Sequence, residues 1–198
     1  MPLLDEVLVY IKGLWLLIQG DREGYRWLDI SEDGLWRSFT AMLWSLPALA
    51  VGWASWRLYY LSAMPSGTTV GFGFFVELMI TDLAGWLLPI ALTAILARPL
   101  GFSIFVVPVI VTTNWLQVPL AYAMAVPAAM LLLVPGSADL VALLWLLLIF
   151  ANAALLFRLL RTVTANQNLL AAALTTLFLL SPLMIMQFLQ HLFGLMPG

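Results

Sequence analysis

The feature that most constrains this chain is the run LVALLWLLLIFANAALLF, from Leu140 to Phe157, which carries no charge and a single amide, Asn152. A segment that is apolar on every side cannot be the surface helix of a soluble domain, which shows one apolar stripe and a polar back. In lipid the same segment is at home as a helix, because a helix satisfies its own backbone polar groups. Comparable runs recur at residues 36–56, 70–97, 102–134 and 169–193. About 20 residues cross the hydrocarbon core, so the sequence predicts an all-α integral membrane fold with five transmembrane helices. Composition agrees. Of the 198 residues, 64% are hydrophobic and 9% charged, against roughly 45–50% and about 25% in soluble domains.

The third run is too long for one straight crossing and holds Pro108, Pro119 and Pro127. It is expected to be a broken helix, or a shallow segment near 102–113 followed by the true span. A turn near 114–119 would instead make two crossings, and six spans in all. Charge bias decides between five and six, since Lys and Arg collect on the cytoplasmic side. With five spans and a cytoplasmic N-terminus, Lys12, Arg22, Arg26, Arg37, Arg98, Arg158 and Arg161 all fall inside, and only Arg57 falls outside. Six spans would carry Arg158 and Arg161 to the outer face. The expected layout is therefore five spans, with the C-terminus outside.

Residues 1–34 read as a separate cytoplasmic piece ahead of a membrane domain at 35–198. In LLDEVLVYIKGLWLLIQG, apolar residues at Leu4, Val7, Leu8, Ile11, Leu14, Trp15 and Ile18 make a helical stripe. The segment is too short and too charged to span. It can lie in the headgroup plane as an interfacial helix, or pack on the protein's own cytoplasmic end. The first charges are Asp5 and Glu6. A secretory signal would open with basic residues, so the first span is expected to be retained. A charged linker follows at 20–34, in which Ser31 is placed to cap the next helix and Glu32 and Asp33 suit its dipole.

Two carboxylates, Glu77 and Asp82, stand inside the second span. A charge within a bilayer is expensive unless it is paired or wet. At 1.5 Å per residue Asp82 lies about 7.5 Å deeper than Glu77. Arg57, at the outer end of the first span, is the expected partner for Glu77 and, by snorkelling, for Asp82. The alternative is a proton or cation site at the outer mouth. The two acids are about 140° apart around a helix, which speaks against a paired-carboxylate or metal site. Asn114, Gln117, Asn152 and Gln187 are the other polar groups at depth. They are expected to hydrogen-bond between helices, or else to line a polar cavity. Ala48 and Gly52 form a small-xxx-small pair that permits close helix contact.

Several function classes fall away. The net charge of −2 and the lack of a basic stripe exclude nucleic acid. There is no Cys and one His, His191, so thiol chemistry is absent and no metal or cofactor is expected. Phosphate-binding, zinc-protease and nucleophile-elbow motifs do not occur. No catalytic residue is assigned, and an enzyme would need Glu77, Asp82 and Asp139 together on the outer face.

A charged N-terminal segment, five closely spaced spans and almost no tail, over residues 20–198, resemble the layout of the Yip1 domain superfamily. The stretch WLDISEDGLWRSF, Trp27 to Phe39, is similar to the run before the first span in uncharacterised bacterial inner-membrane proteins. The resemblance implies a multi-pass protein of the bacterial inner membrane that binds partners or organises membrane. The bilayer would be its first partner, with a membrane protein or a second copy of the chain as another. The opposing expectation is a small oligomeric channel or transporter with a polar pathway near Asp82, Asn114, Gln117 and Asn152.

Overall fold

The computed structural model describes residues 3–196 and is all-helical among them. The predicted ends at 1–2 and 197–198 lie outside that range. Seven α-helices follow in order: α1 (Leu4–Gln19), α2 (Glu32–Ser38), α3 (Ala41–Ala63), α4 (Phe72–Ala97), α5 (Val106–Leu133), α6 (Ala138–Val163) and α7 (Asn168–Leu192). Short 3₁₀ turns precede α2 (Arg22–Trp27) and α5 (Ser103–Phe105).

Four helices, α4 to α7, are long and apolar enough to cross a membrane, which marks the chain as a membrane protein. α3 matches them in length, at 23 residues. It is less apolar because Trp44, Ser45, Trp53, Ser55, Trp56 and Arg57 dilute its aliphatic residues. α3 packs along α5 and α4 along α7, and α6 lies against both α5 and α7.

The helix ends differ from the sequence boundaries in three places. α3 begins after a break at Phe39–Thr40 and runs on to Ala63. Arg57 therefore stands within a helix rather than closing it. The break is held by the side chains: Ser38 Oγ donates to the Leu35 carbonyl at 2.6 Å and Thr40 Oγ1 to that of Arg37 at 2.7 Å. α6 likewise continues to Val163, so Arg158 and Arg161 are on the helix. The third difference is a correction. Residues 106–133 form one continuous helix, neither broken nor split into a shallow piece and a span. Pro108 sits in the first turn, where its missing N–H would have no helical partner anyway. Pro119 and Pro127 are within the helix, and packed neighbours make this tolerable in membrane helices.

The length of α5 is absorbed by the protein. Its 28 residues extend about 42 Å at 1.5 Å each, against about 30 Å of hydrocarbon. Val109 to Leu116 are buried without interruption, because α1 and α2 pack over this end. The face of α1 that does so carries Val7, Leu14, Leu17 and Ile18, and Tyr10 stacks at 4.8 Å on Trp115 of α5. Leu4, Leu8 and Trp15, on the adjacent face, are exposed. The apolar stripe of α1 is thus divided, half packed against the protein and half exposed.

Two glycines make this end cap close-packed. A Cβ on Gly24 would meet the Gly13 carbonyl and the Leu17 backbone nitrogen, and one on Gly13 would meet Gly24 and Trp27. Polar ties finish the job. Arg158 Nε donates to the Ile18 carbonyl at 3.0 Å, Arg37 lies 3.5 Å from Glu6 and 3.8 Å from Asp29, and Lys12 lies 4.1 Å from the Trp27 ring centroid. At the opposite end Leu195 is buried with Phe74 and Leu78, and its carbonyl accepts from Trp56 Nε1 at 3.2 Å.

Candidate functional site

Six of the buried hydroxyls in this bundle bond to their own helices. Ser45, Thr81, Thr93, Thr113, Thr175 and Ser181 each donate to the carbonyl four residues back. Each has thereby spent its one donor within its own helix. The amides and the one deep carboxylate behave differently, because they have no backbone partner of their own.

Asn114, fully buried on α5, bridges three helices. It accepts from Trp86 Nε1 of α4 at 2.7 Å and donates to Ser38 Oγ of α2 at 2.8 Å. That is the interhelical bonding expected of it, and it seals the interior towards the α1 end. Gln117, three residues on, is not in this chain and opens onto a cavity.

Asp82 stands on α4 between two cavities that share it. The smaller, about 160 Å³, is lined by Ser45, Asp82, Trp86, Gln117, Pro182 and Met186, among others. The larger, about 350 Å³, reaches Trp53, Trp56, Met124, Trp145 and Gln190. Asp82 Oδ2 accepts from Trp53 Nε1 of α3 at 2.6 Å. Among the described residues no Lys, Arg or His lies within 4.0 Å of either Asp82 or Glu77. The expected ion pair with Arg57 is therefore not formed. The geometry of α3 explains it. Trp53, one turn deeper than Arg57, is the residue level with Asp82. Arg57 is exposed at the rim beside Val70, Gly71 and Phe72, well before Glu77 on α4. No known protein family, curated protein or solved structure matches the chain.

The remaining candidates are dispersed. Glu77 is half-buried, Asn152 is half-buried on α6 and lines neither cavity, and Gln187 is exposed on α7. Asp139 and His191 are exposed near helix ends. No group of three His, Asp or Glu comes together among the described residues. Gly52 has no atom within 4 Å of where its Cβ would be. It faces the larger cavity instead of gripping a neighbouring helix, which corrects the close-contact expectation at Gly52, whereas Ala48 is buried. At Gly85 a close contact does occur, with Met186 of α7 about 3.0 Å from a built Cβ.

Sequence reasoning missed Trp53, Met186 and Gln190. A signal existed for the last two. Pro182, Met186 and Gln190 repeat every four residues and so share a helix face. Trp53 could be found only by knowing which α3 residue lies level with Asp82.

What remains is a carboxylate that, among the described residues, has one hydrogen-bond donor and no cationic side chain beside it, and that lines two adjoining cavities. Indole rings and methionines make up much of the wall, and two glutamine amides supply further polar contacts. A carboxylate set among aromatic rings attracts a positive charge, which gains from both the anion and the ring faces.

Proposed function

We propose that the protein is a five-span bacterial inner-membrane protein that binds a monovalent organic cation at Asp82, as a small channel or transporter would. The observation that carries this reading is Asp82 itself, which lines two adjoining cavities and, among the described residues, is partnered by Trp53 alone. Intramembrane carboxylates of this kind mark ion and substrate pathways. A larger cavity of about 350 Å³ falls within the range of small-ligand sites, roughly 300–1,000 Å³.

The five-span layout draws support from α3, which is long enough to cross and follows α5 along its length. The cytoplasmic N-terminus and outer C-terminus rest on the distribution of Lys and Arg. A second reading has one observation in its favour. The outward Leu4, Leu8 and Trp15 of α1 suit a protein of Yip1-like layout that organises membrane or binds a membrane partner. The two differ in what they need from Asp82, which the second does not use.

The test is binding of benzyltrimethylammonium, a quaternary cation that cannot lose its charge by deprotonation, followed through tryptophan fluorescence of the purified protein. Wild type binds it and Asp82→Asn binds at least about tenfold more weakly, the scale of one lost charge contact. Neopentylbenzene, its neutral carbon isostere, shows no such difference. Equal binding by wild type and Asp82→Asn would sink the proposal.

A further inference from the structure

At the end of the bundle that carries α1 lies a third cavity of about 320 Å³, unconnected with Asp82. Its wall includes Gln19 and Gly20 after α1, Arg158, Arg161 and Thr162 on α6, and Asn166 in the α6–α7 turn. Arg158 and Arg161 are three residues apart and therefore on one helix face. Both arginines, each exposed, line the same cavity, and among the described residues no carboxylate lies within 4.0 Å of either. Two like charges on one cavity wall repel, and an anion between them relieves that repulsion.

Arg158 is tied to the end of α1, and the turn after α6 is held at its backbone. Arg158 spends Nε on the Ile18 carbonyl at 3.0 Å, so its two terminal nitrogens remain for a ligand. Asn166 takes the left-handed conformation at φ 64°, and its N–H donates to the Arg161 carbonyl at 2.8 Å. That tight turn closes one side of the cavity. Tyr25 donates to the Val163 carbonyl at 3.5 Å and holds the 3₁₀ turn against the same end of α6.

We infer that this cavity binds a phosphoryl anion, held by Arg158 and Arg161, with Thr162, Gln19 and Asn166 able to complete its hydrogen bonds. Paired guanidinium groups match the oxygens of a phosphate in geometry as well as charge. Two sources offer that chemistry, an anionic lipid headgroup and a soluble phosphate. Trp15, exposed one turn before Gln19, is placed to meet an acyl chain and suits the lipid source.

The test uses the full chain and follows its melting temperature in two arms. In one, the protein is reconstituted in phosphatidylcholine nanodiscs with and without phosphatidylglycerol. In the other, inorganic phosphate is titrated in detergent against sodium chloride of equal ionic strength. Stabilisation by phosphatidylglycerol assigns the site to a headgroup, and stabilisation by inorganic phosphate assigns it to a soluble anion. In either case Arg161→Gln loses most of the shift, with affinity down about tenfold for a lost charge-assisted contact, and Arg161→Lys recovers part of it. If Arg161→Gln does not fold, native mass spectrometry of wild type decides, with phosphatidylglycerol retained over phosphatidylcholine, or phosphate adducts seen over chloride. No shift in either arm overturns the inference, as does an equal shift in Arg161→Gln, or wild-type spectra without selective retention.

Discussion

At the scale of single residues, the two amide and acid sites at depth differ in how their hydrogen bonds close. Asn114 accepts from one helix and donates to another, so its loss strands the Trp86 indole N–H. Asn114→Leu leaves Trp86 Nε1 without an acceptor, while Ser38 Oγ keeps its bond to the Leu35 carbonyl, and a stranded buried donor costs about 1–3 kcal/mol. A drop of that size in unfolding free energy is expected, and adding Trp86→Phe should recover part of it because the stranded donor is then gone. A double mutant no more stable than the single would show that the bridge does not couple them. Asp29, outside the membrane segments, offers a pH handle. Hydrogen bonds from the Ser31 hydroxyl and amide hold its carboxyl below the ordinary 3.8, with Arg37 helping. A lowered folded-state value stabilises the fold above the ordinary value, and that contribution fades as pH falls through the lower one. Ser31→Ala should move Asp29 up in an NMR titration and, by removing the cap on Gly34 N, cost about 0.5–2 kcal/mol. An unmoved Asp29 would contradict the assignment. Ser31 as a cap was legible in the sequence. Asp82 was legible as an anomaly, but its partner was not, because Trp53 and Arg57 share a face of α3 and only the depth of packing selects between them.

At the scale of elements, the apolar runs gave the helices, while the ends were set by contacts no run contains. Proline counted against a continuous α5 because in water it would break a helix. In the bundle that helix is enclosed by α1, α2 and α3, and their packing outweighs two missing bonds. The period of α1 was legible, but its division into a protein face and an outward face was not, since both faces are equally apolar in sequence. The glycine contact between α1 and the 3₁₀ turn tests the division. Gly24→Ala forces a methyl against the Gly13 carbonyl and the Leu17 nitrogen, and overpacking of this kind costs about 1–3 kcal/mol. The expected result is an α1 that becomes sensitive to protease while α4 to α7 remain inserted. Leu8→Glu, on the outward face, should leave that protection intact. If both variants open α1 equally, the division of its faces is wrong.

At the scale of the whole molecule, the bundle is closed at one end by α1 and α2 and hollow around Asp82. The chain has no Cys, so single cysteines report cleanly. Cysteines at Gly20 and Ala165 should be shielded from an impermeant reagent added outside, and those at Gly67 and Gly136 labelled. The reverse pattern would invert the topology. The most direct measurement of the central claim uses Gly52, whose Cβ position is open and faces the larger cavity. The labelling rate of Gly52→Cys should fall on adding benzyltrimethylammonium, and this protection should vanish when Asp82→Asn is added to the same chain. Protection that is absent in Gly52→Cys, or that persists without the carboxylate, would contradict a cation site at Asp82.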